Sequence, residues 1–160
     1  MNIYKGSRCD EWGTPPELLE QIIHPNWNMF DVCASDENHK FPDYWKKSDN
    51  CLRRPWPIDR TCWMNPPFSS AKSFFEKAAK EAARGVKIVA IYKACNLDTK
   101  TWQEAILPHA SAVLFLKGRT NYVMDGGRSK NVPFGSAIIY YNMVPVKLPK
   151  ELGCLWFLRL

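Results

Sequence analysis

The six cysteines, Cys9, Cys33, Cys51, Cys62, Cys95 and Cys154, include no C-x-x-C pair. Structural zinc sites and redox dithiols ordinarily use that spacing, so no metal site is expected. The chain also lacks an apolar run of membrane-spanning length. Its opening Met1-Asn2-Ile3-Tyr4-Lys5 lacks the apolar segment of a secretory signal. The resulting expectation is a cytoplasmic, reducing setting with no membrane partner. There Cys33 and Cys62, set in apolar stretches, act as small buried hydrophobes. Internal repeats and low-complexity tracts are absent too.

What is present fits one compact unit. With 160 residues and a hydrophobic fraction of 46%, the chain can build a single core, and one domain over 1–160 is expected. The net charge of +6 favours a polyanionic partner, with nucleic acid the first candidate; a generic basic soluble protein is the plainer reading. Seven tryptophans are a rich supply. Such rings serve either as core or as stacking surfaces for bases.

Strand-like and helix-like patterns alternate. A short helix is expected over 15–23, with Thr14 as its N-cap and Pro15 and Pro16 in its first turn. A buried strand follows at 29–34, then an irregular stretch at 35–59, then a strand at 61–64 that stops at Asn65-Pro66-Pro67. Residues 70–84 carry an apolar face of Phe74, Phe75, Ala78, Ala79 and Ala82 before Gly85, which predicts a helix. The β-branched run 86–92 predicts a strand, 98–107 a helix capped by Asp98 or Thr99, and 112–116 and 136–141 two further strands. Residues 117–133 read as a loop or open hairpin, and 155–160 as a last edge strand. This order gives an α/β fold with a mainly parallel sheet and helices on both faces. In such folds ligands sit at the carboxyl ends of strands, which directs attention to residues 31–35 and 65–68.

Asn65-Pro66-Pro67-Phe68 resembles the [Asp/Asn/Ser]-Pro-Pro-[aromatic] signature of amino-methyltransferases. An adenine amine is a poor nucleophile because its lone pair is delocalised into the ring. The side-chain oxygen of Asn65 and the carbonyl of Pro66 can each accept a hydrogen bond from that amine. Together they draw the nitrogen toward tetrahedral geometry and aim its lone pair at a methyl donor. Pro66 and Pro67 stiffen the corner. Phe68 offers a face on which a base can stack, worth about 1–3 kcal/mol at comparable sites. The plainer alternative is an ordinary proline turn.

Further pieces accompany it: Trp12-Gly13-Thr14-Pro15, Asp31-Val32-Cys33-Ala34-Ser35, Asn38, Asp98-Thr99 with Trp102, and Leu116 to Arg119. Taken in order over about residues 10 to 142, they resemble the Dam-type phage N6-adenine methyltransferase family. The resemblance implies a Rossmann-like methyltransferase domain using S-adenosyl-L-methionine, encoded by a phage or prophage and acting in a bacterial host cell. It implies Asn65, Pro66, Pro67 and Phe68 as catalytic residues. It also implies cofactor contacts from Trp12, Thr14, Pro15, Asp31, Cys33, Ala34, Ser35 and Asn65, with Asp31 placed to face the cofactor's ammonium. Asp49, before Cys51-Leu52, is a candidate contact to the cofactor's adenine; a solvated loop Asp is the plainer reading. Two departures stand out. The glycine-rich cofactor loop is replaced by Ser35-Asp36-Glu37-Asn38, and Lys93-Ala94 stands where a proline is usual.

DNA is the expected partner. Lys117, Arg119, Tyr122, Arg128 and Lys130 lie in the polar 117–133 segment and are candidate DNA contacts, with Tyr122 and Phe134 placed to prop open the duplex around a flipped base. Lys46, Lys47, Arg53 and Arg54 form a second basic cluster. Either group is also readable as a solvated surface. A separate target-recognition domain is not expected, and a monomer or weak dimer is. Two rival functions remain: an RNA or protein-glutamine amino-methyltransferase, which shares the tetrapeptide, and a non-catalytic nucleic-acid-binding module on the same fold.

Overall fold

The computed structural model describes residues 12–124, 127–129, 132–148 and 150–158. Its centre is a seven-stranded sheet built from β1 (Met29–Ala34), β2 (Tyr44–Lys46), β3 (Thr61–Met64), β4 (Lys87–Lys93), β5 (Ala112–Leu116), β8 (Ser136–Tyr141) and β9 (Gly153–Phe157), in the order β2-β1-β3-β4-β8-β5-β9. The strands β2, β1, β3 and β4 run parallel. β8 enters antiparallel between β4 and β5, so β5 keeps the direction of β4, and β9 closes the edge antiparallel to β5. The sheet is thus mixed but mostly parallel. A small hairpin, β6 (Val123–Met124) with β7 (Gly127–Arg128), lies outside it.

Both faces of the sheet are covered. Along β3, Cys62 and Met64 point to one apolar cluster and Trp63 to the other, the period-two alternation of a strand. The first cluster packs under α2 (Ala71–Ala83), through Phe75, Ala78 and Ala82, and under the segment Thr101–Ile106, through Trp102 and Ile106. The second packs under α1 (Pro16–Ile22), through Leu18 and Ile22. Because the parallel strands are covered on both sides, they read as continuous apolar runs rather than alternating ones.

The helix ends are set by local chemistry. α2 stops at Gly85, whose φ of 96° suits glycine; Gly85 N–H bonds to Ala82 O at 2.9 Å and Val86 N–H to Glu81 O at 3.2 Å. The helix expected over 98–107 is instead a π-helical segment, Thr101–Ile106, in which Leu107 N–H reaches back five residues to Trp102 O at 2.9 Å. The expected N-cap of α1 also moves. Thr14 makes no capping bond; Leu18 and Leu19 donate to the carbonyl of Pro15.

Candidate functional site

β1 and β3 are parallel neighbours, so their carboxyl ends open on the same side of the sheet. A cavity of about 610 Å³ lies there. Its wall includes Trp12, Asp31, Cys33, Ala34, Asn65, Pro66 and Pro67, so the structure brings together seven of the residues singled out in the sequence. The volume falls within the range of roughly 300–1,000 Å³ usual for small-molecule sites.

Asn65 ends β3. Its Nδ2 donates to the Trp12 carbonyl at 2.5 Å and to Thr14 Oγ1 at 3.1 Å. A carbonyl only accepts, so these bonds identify the nitrogen and leave Oδ1 as the open acceptor, with no partner among the described residues. At the next corner, the Pro67 carbonyl is taken by Ser70 N–H at 3.1 Å, whereas the Pro66 carbonyl accepts no backbone bond among the described residues.

On the neighbouring strand β1, Asp31 is 3% exposed. Its carboxylate accepts Lys40 N–H at 3.1 Å and Cys33 N–H at 3.4 Å. Burial outweighs those bonds and pushes the carboxyl up to about 6. A buried carboxylate in this state is stabilised by an arriving cation. The Cys33 thiol is held well above its ordinary range, by burial first and by the Asp31 carboxylate second, so it stays neutral.

The turn after β1 manages without glycine. Ser35 Oγ accepts Glu37 N–H at 3.3 Å and Asn38 N–H at 3.2 Å, while Asn38 Oδ1 accepts Ser35 N–H at 2.7 Å. None of these residues has a positive φ. Side-chain acceptors thus close the turn that glycines close elsewhere. Asp36 then bolts it to β2, through Tyr44 OH at 2.6 Å and Lys46 Nζ at 2.8 Å.

The family now has its structural frame. Residues 2–144 match the family model described as DNA N-6-adenine-methyltransferase (Dam). The chain belongs to that family. Among its relatives, the DNA N-6-adenine-methyltransferase of Escherichia phage T1 is 25% identical over 130 residues, covering 77% of this chain and 53% of the relative. The enzyme of the same description from Haemophilus phage HP1 (strain HP1c1) is 28% identical over 116 residues, covering 70% of this chain and 65% of the relative. The chain therefore spans between about half and two thirds of the length of these relatives.

Several assignments read from the sequence change on this frame. Phe68 does not line the cavity. Its ring sits behind the wall, stacked on Trp12 at 6.4 Å between centroids and edge-on to Tyr92 and Phe134 at 5.6 Å each. Trp12, stacked on it, does reach the cavity, as do Trp63 and Phe74. Thr14 and Pro15 are buried behind the wall, Thr14 against Asn65 and Pro15 at the start of α1. Ser35 is committed to its turn. Asp49 lies off the wall because its carboxylate closes its own turn onto Lys46 N–H at 2.8 Å and faces Arg54 at 3.5 Å.

The cavity also gathers residues that the sequence did not mark as binding: Lys40, Asn50, Cys51, Leu52, Ser73 and Phe74. Most come from the 35–59 stretch, which has no strong periodicity. The one available signal there was Asn50, which ends a short 3-10 turn at a φ of 53°, a conformation asparagine tolerates.

Of the candidate DNA contacts, Lys117 and Arg119 are exposed. Arg128 is exposed and pairs with Glu17 at 2.8 Å. Tyr122 is corrected: it is fully buried, with its hydroxyl 2.6 Å from Ser136 Oγ, so its ring supports the aromatic nest and cannot contact a duplex. Lys130 lies outside the described residues. In the second basic cluster, Lys46 and Lys47 stand at the cavity, and Arg54 lies over the Trp45 ring at 4.7 Å.

Proposed function

We propose that this chain transfers a methyl group from S-adenosyl-L-methionine to the N6 amine of adenine in DNA, on a Rossmann-like methyltransferase sheet. The observation that carries the reading is the pinned amide of Asn65, whose free Oδ1 stands at the end of β3 on the same cavity as the buried Asp31 carboxylate. Family membership and the two phage relatives support the same chemistry.

The donor set fits the cofactor. Asp31 offers a desolvated carboxylate for an ammonium group, Ala34 and the glycine-free turn offer backbone at close range, and Cys51, Leu52 and Phe74 offer apolar surface for a purine. When bound, S-adenosyl-L-methionine supplies a methyl group activated by a sulfonium.

The chain's own residues do the rest. Asn65 Oδ1 and the Pro66 carbonyl accept the two amine hydrogens and localise the nitrogen lone pair. Pro66 and Pro67 hold those acceptors in place before substrate arrives, so the gain is in positioning rather than in general-base chemistry. Trp12, backed by Phe68, gives the flipped base an aromatic surface. The exposed Lys117, Arg119 and Arg128 face phosphates.

The test is incubation with labelled cofactor and DNA, then mass spectrometry of the nucleosides. N6-methyladenine is the expected product. Label in RNA or in protein glutamine would replace the substrate assignment, and no cofactor binding at millimolar concentration would favour a non-catalytic module. Asn65→Ala should lower turnover roughly a hundredfold or more. Asn65→Asp should also fail at neutral pH, because a carboxylate oxygen would face the Trp12 carbonyl at the 2.5 Å now spanned by an N–H. Wild-type turnover in Asn65→Ala would remove the mechanism.

A further inference from the structure

Asn65 has two amide hydrogens, and both are used. The Trp12 carbonyl takes one and Thr14 Oγ1 takes the other. The carbonyl bond decides which atom is nitrogen. A single bond does not fix the amide plane, because the terminal torsion of asparagine is broad. The second bond does. Two bonds from one nitrogen, to two acceptors on the same short segment, leave Oδ1 a single direction.

Thr14 has little else to do with its hydroxyl. It is fully buried, absent from the cavity wall, and makes no capping bond to α1. Asn65 is its one side-chain partner among the described residues. The segment that presents it is itself fastened. Gly13 N–H donates to Val123 O at 2.9 Å, and Val123 N–H donates to Gly13 O at 2.7 Å. A Cβ at position 13 would meet that Val123 oxygen at 2.9 Å, so this close approach depends on glycine.

We propose that Thr14 is a positioning residue: its hydroxyl, together with the Trp12 carbonyl, locks the Asn65 amide so that Oδ1 faces the substrate. The inference rests on the role given to Asn65 above. It reassigns Thr14 from cofactor contact to support of the acceptor.

Thr14→Val keeps the shape and removes the hydroxyl; Thr14→Ser keeps the hydroxyl. Steady-state turnover on DNA, calorimetric affinity for S-adenosyl-L-methionine, and the 15N-resolved side-chain amide signals of Asn65 are measured on both. For Thr14→Val, kcat should fall roughly tenfold or more with cofactor affinity unchanged, and the Asn65 amide protons should shift and exchange faster. Thr14→Ser should restore both readouts.

Three outcomes overturn the proposal. Thr14→Val turns over at the wild-type rate with unmoved Asn65 signals. Thr14→Val loses cofactor affinity in step with kcat, which returns Thr14 to the cofactor. Thr14→Ser is as impaired as Thr14→Val, which makes the side chain mere packing. A wild-type protein that methylates no adenine would remove the proposed function instead, and the amide signals would still decide the positioning.

Discussion

On the proposed function, Asp31 serves binding at a cost to folding. Its carboxyl lies near 3.8 ordinarily and at about 6 here. The folded state holds the proton more tightly than the unfolded one. This group's favourable contribution is therefore complete below about pH 4 and is lost as pH rises through about 6. That displacement corresponds to about 3 kcal/mol. Asp31→Asn removes the charge but offers one oxygen where the carboxylate accepts two N–H groups, a loss of about 1 kcal/mol. In urea unfolding without cofactor, Asp31→Asn should be more stable than wild type by roughly 1–2 kcal/mol at pH 8 and less stable at pH 4. Its affinity for S-adenosyl-L-methionine should collapse at both. A variant destabilised equally at the two pH values would show that the carboxylate is well solvated. The single-residue features of the site were unevenly legible. The sequence marks Asp31 because it is an acidic residue in a buried strand and Asn65 because it follows one, but it gives Thr14 the wrong partner: a Thr before Pro-Pro reads as a helix cap, and only the fold brings Asn65 to its hydroxyl.

At the level of elements, α2 depends on a buried ion cluster within its apolar side. Glu81, with a side chain 4% exposed, accepts Lys77 Nζ at 2.5 Å, the Arg84 guanidinium and Trp56 N–H at 3.2 Å. Burial works against the carboxylate, yet these donors hold it below its ordinary range. Glu81→Ala would leave the part-buried Lys77 and the buried Trp56 N–H without a partner, so it should cost about 3 kcal/mol in urea unfolding while the slope stays unchanged. A loss under about 1 kcal/mol would mean that water reaches the cluster. The sequence shows α2 through its alanine and phenylalanine face but not this cluster, although a Glu on the apolar stripe with Lys at i−4 and Arg at i+3 is a usable signal. The strands 61–64, 112–116 and 136–141 are legible to the residue because each is fully or nearly fully buried and apolar. β2 is not, since three edge residues, two half-buried and one exposed, carry no periodicity. The antiparallel insertion of β8 is invisible as well, because strand order depends on contacts between distant segments.

Across the whole molecule, charge rather than shape is what the +6 balance contributes, and its test is ionic. The hairpin segment is fastened to the body by the Gly13–Val123 bridge and by the Arg128–Glu17 pair, so its exposed cations keep a fixed relation to the corner at Asn65. Arg119 stands beside Gly135 and Ala94, at the end of β4. No acidic partner neutralises it among the described residues, whereas Arg128 must leave Glu17 to reach a phosphate. Arg119 is therefore the cation whose loss should register most clearly in duplex binding. Each neutralised phosphate contributes about 0.9 to the slope of log affinity against log salt concentration. Arg119→Ala should weaken DNA binding several-fold near physiological salt, flatten that slope by about 0.9, and leave calorimetric affinity for S-adenosyl-L-methionine unchanged. It should act nearly equally on all DNA sequences, since a phosphate contact carries no base information. An unaltered slope would mean that Arg119 meets no phosphate. A parallel loss of cofactor affinity would instead place Arg119 in the cavity's own machinery.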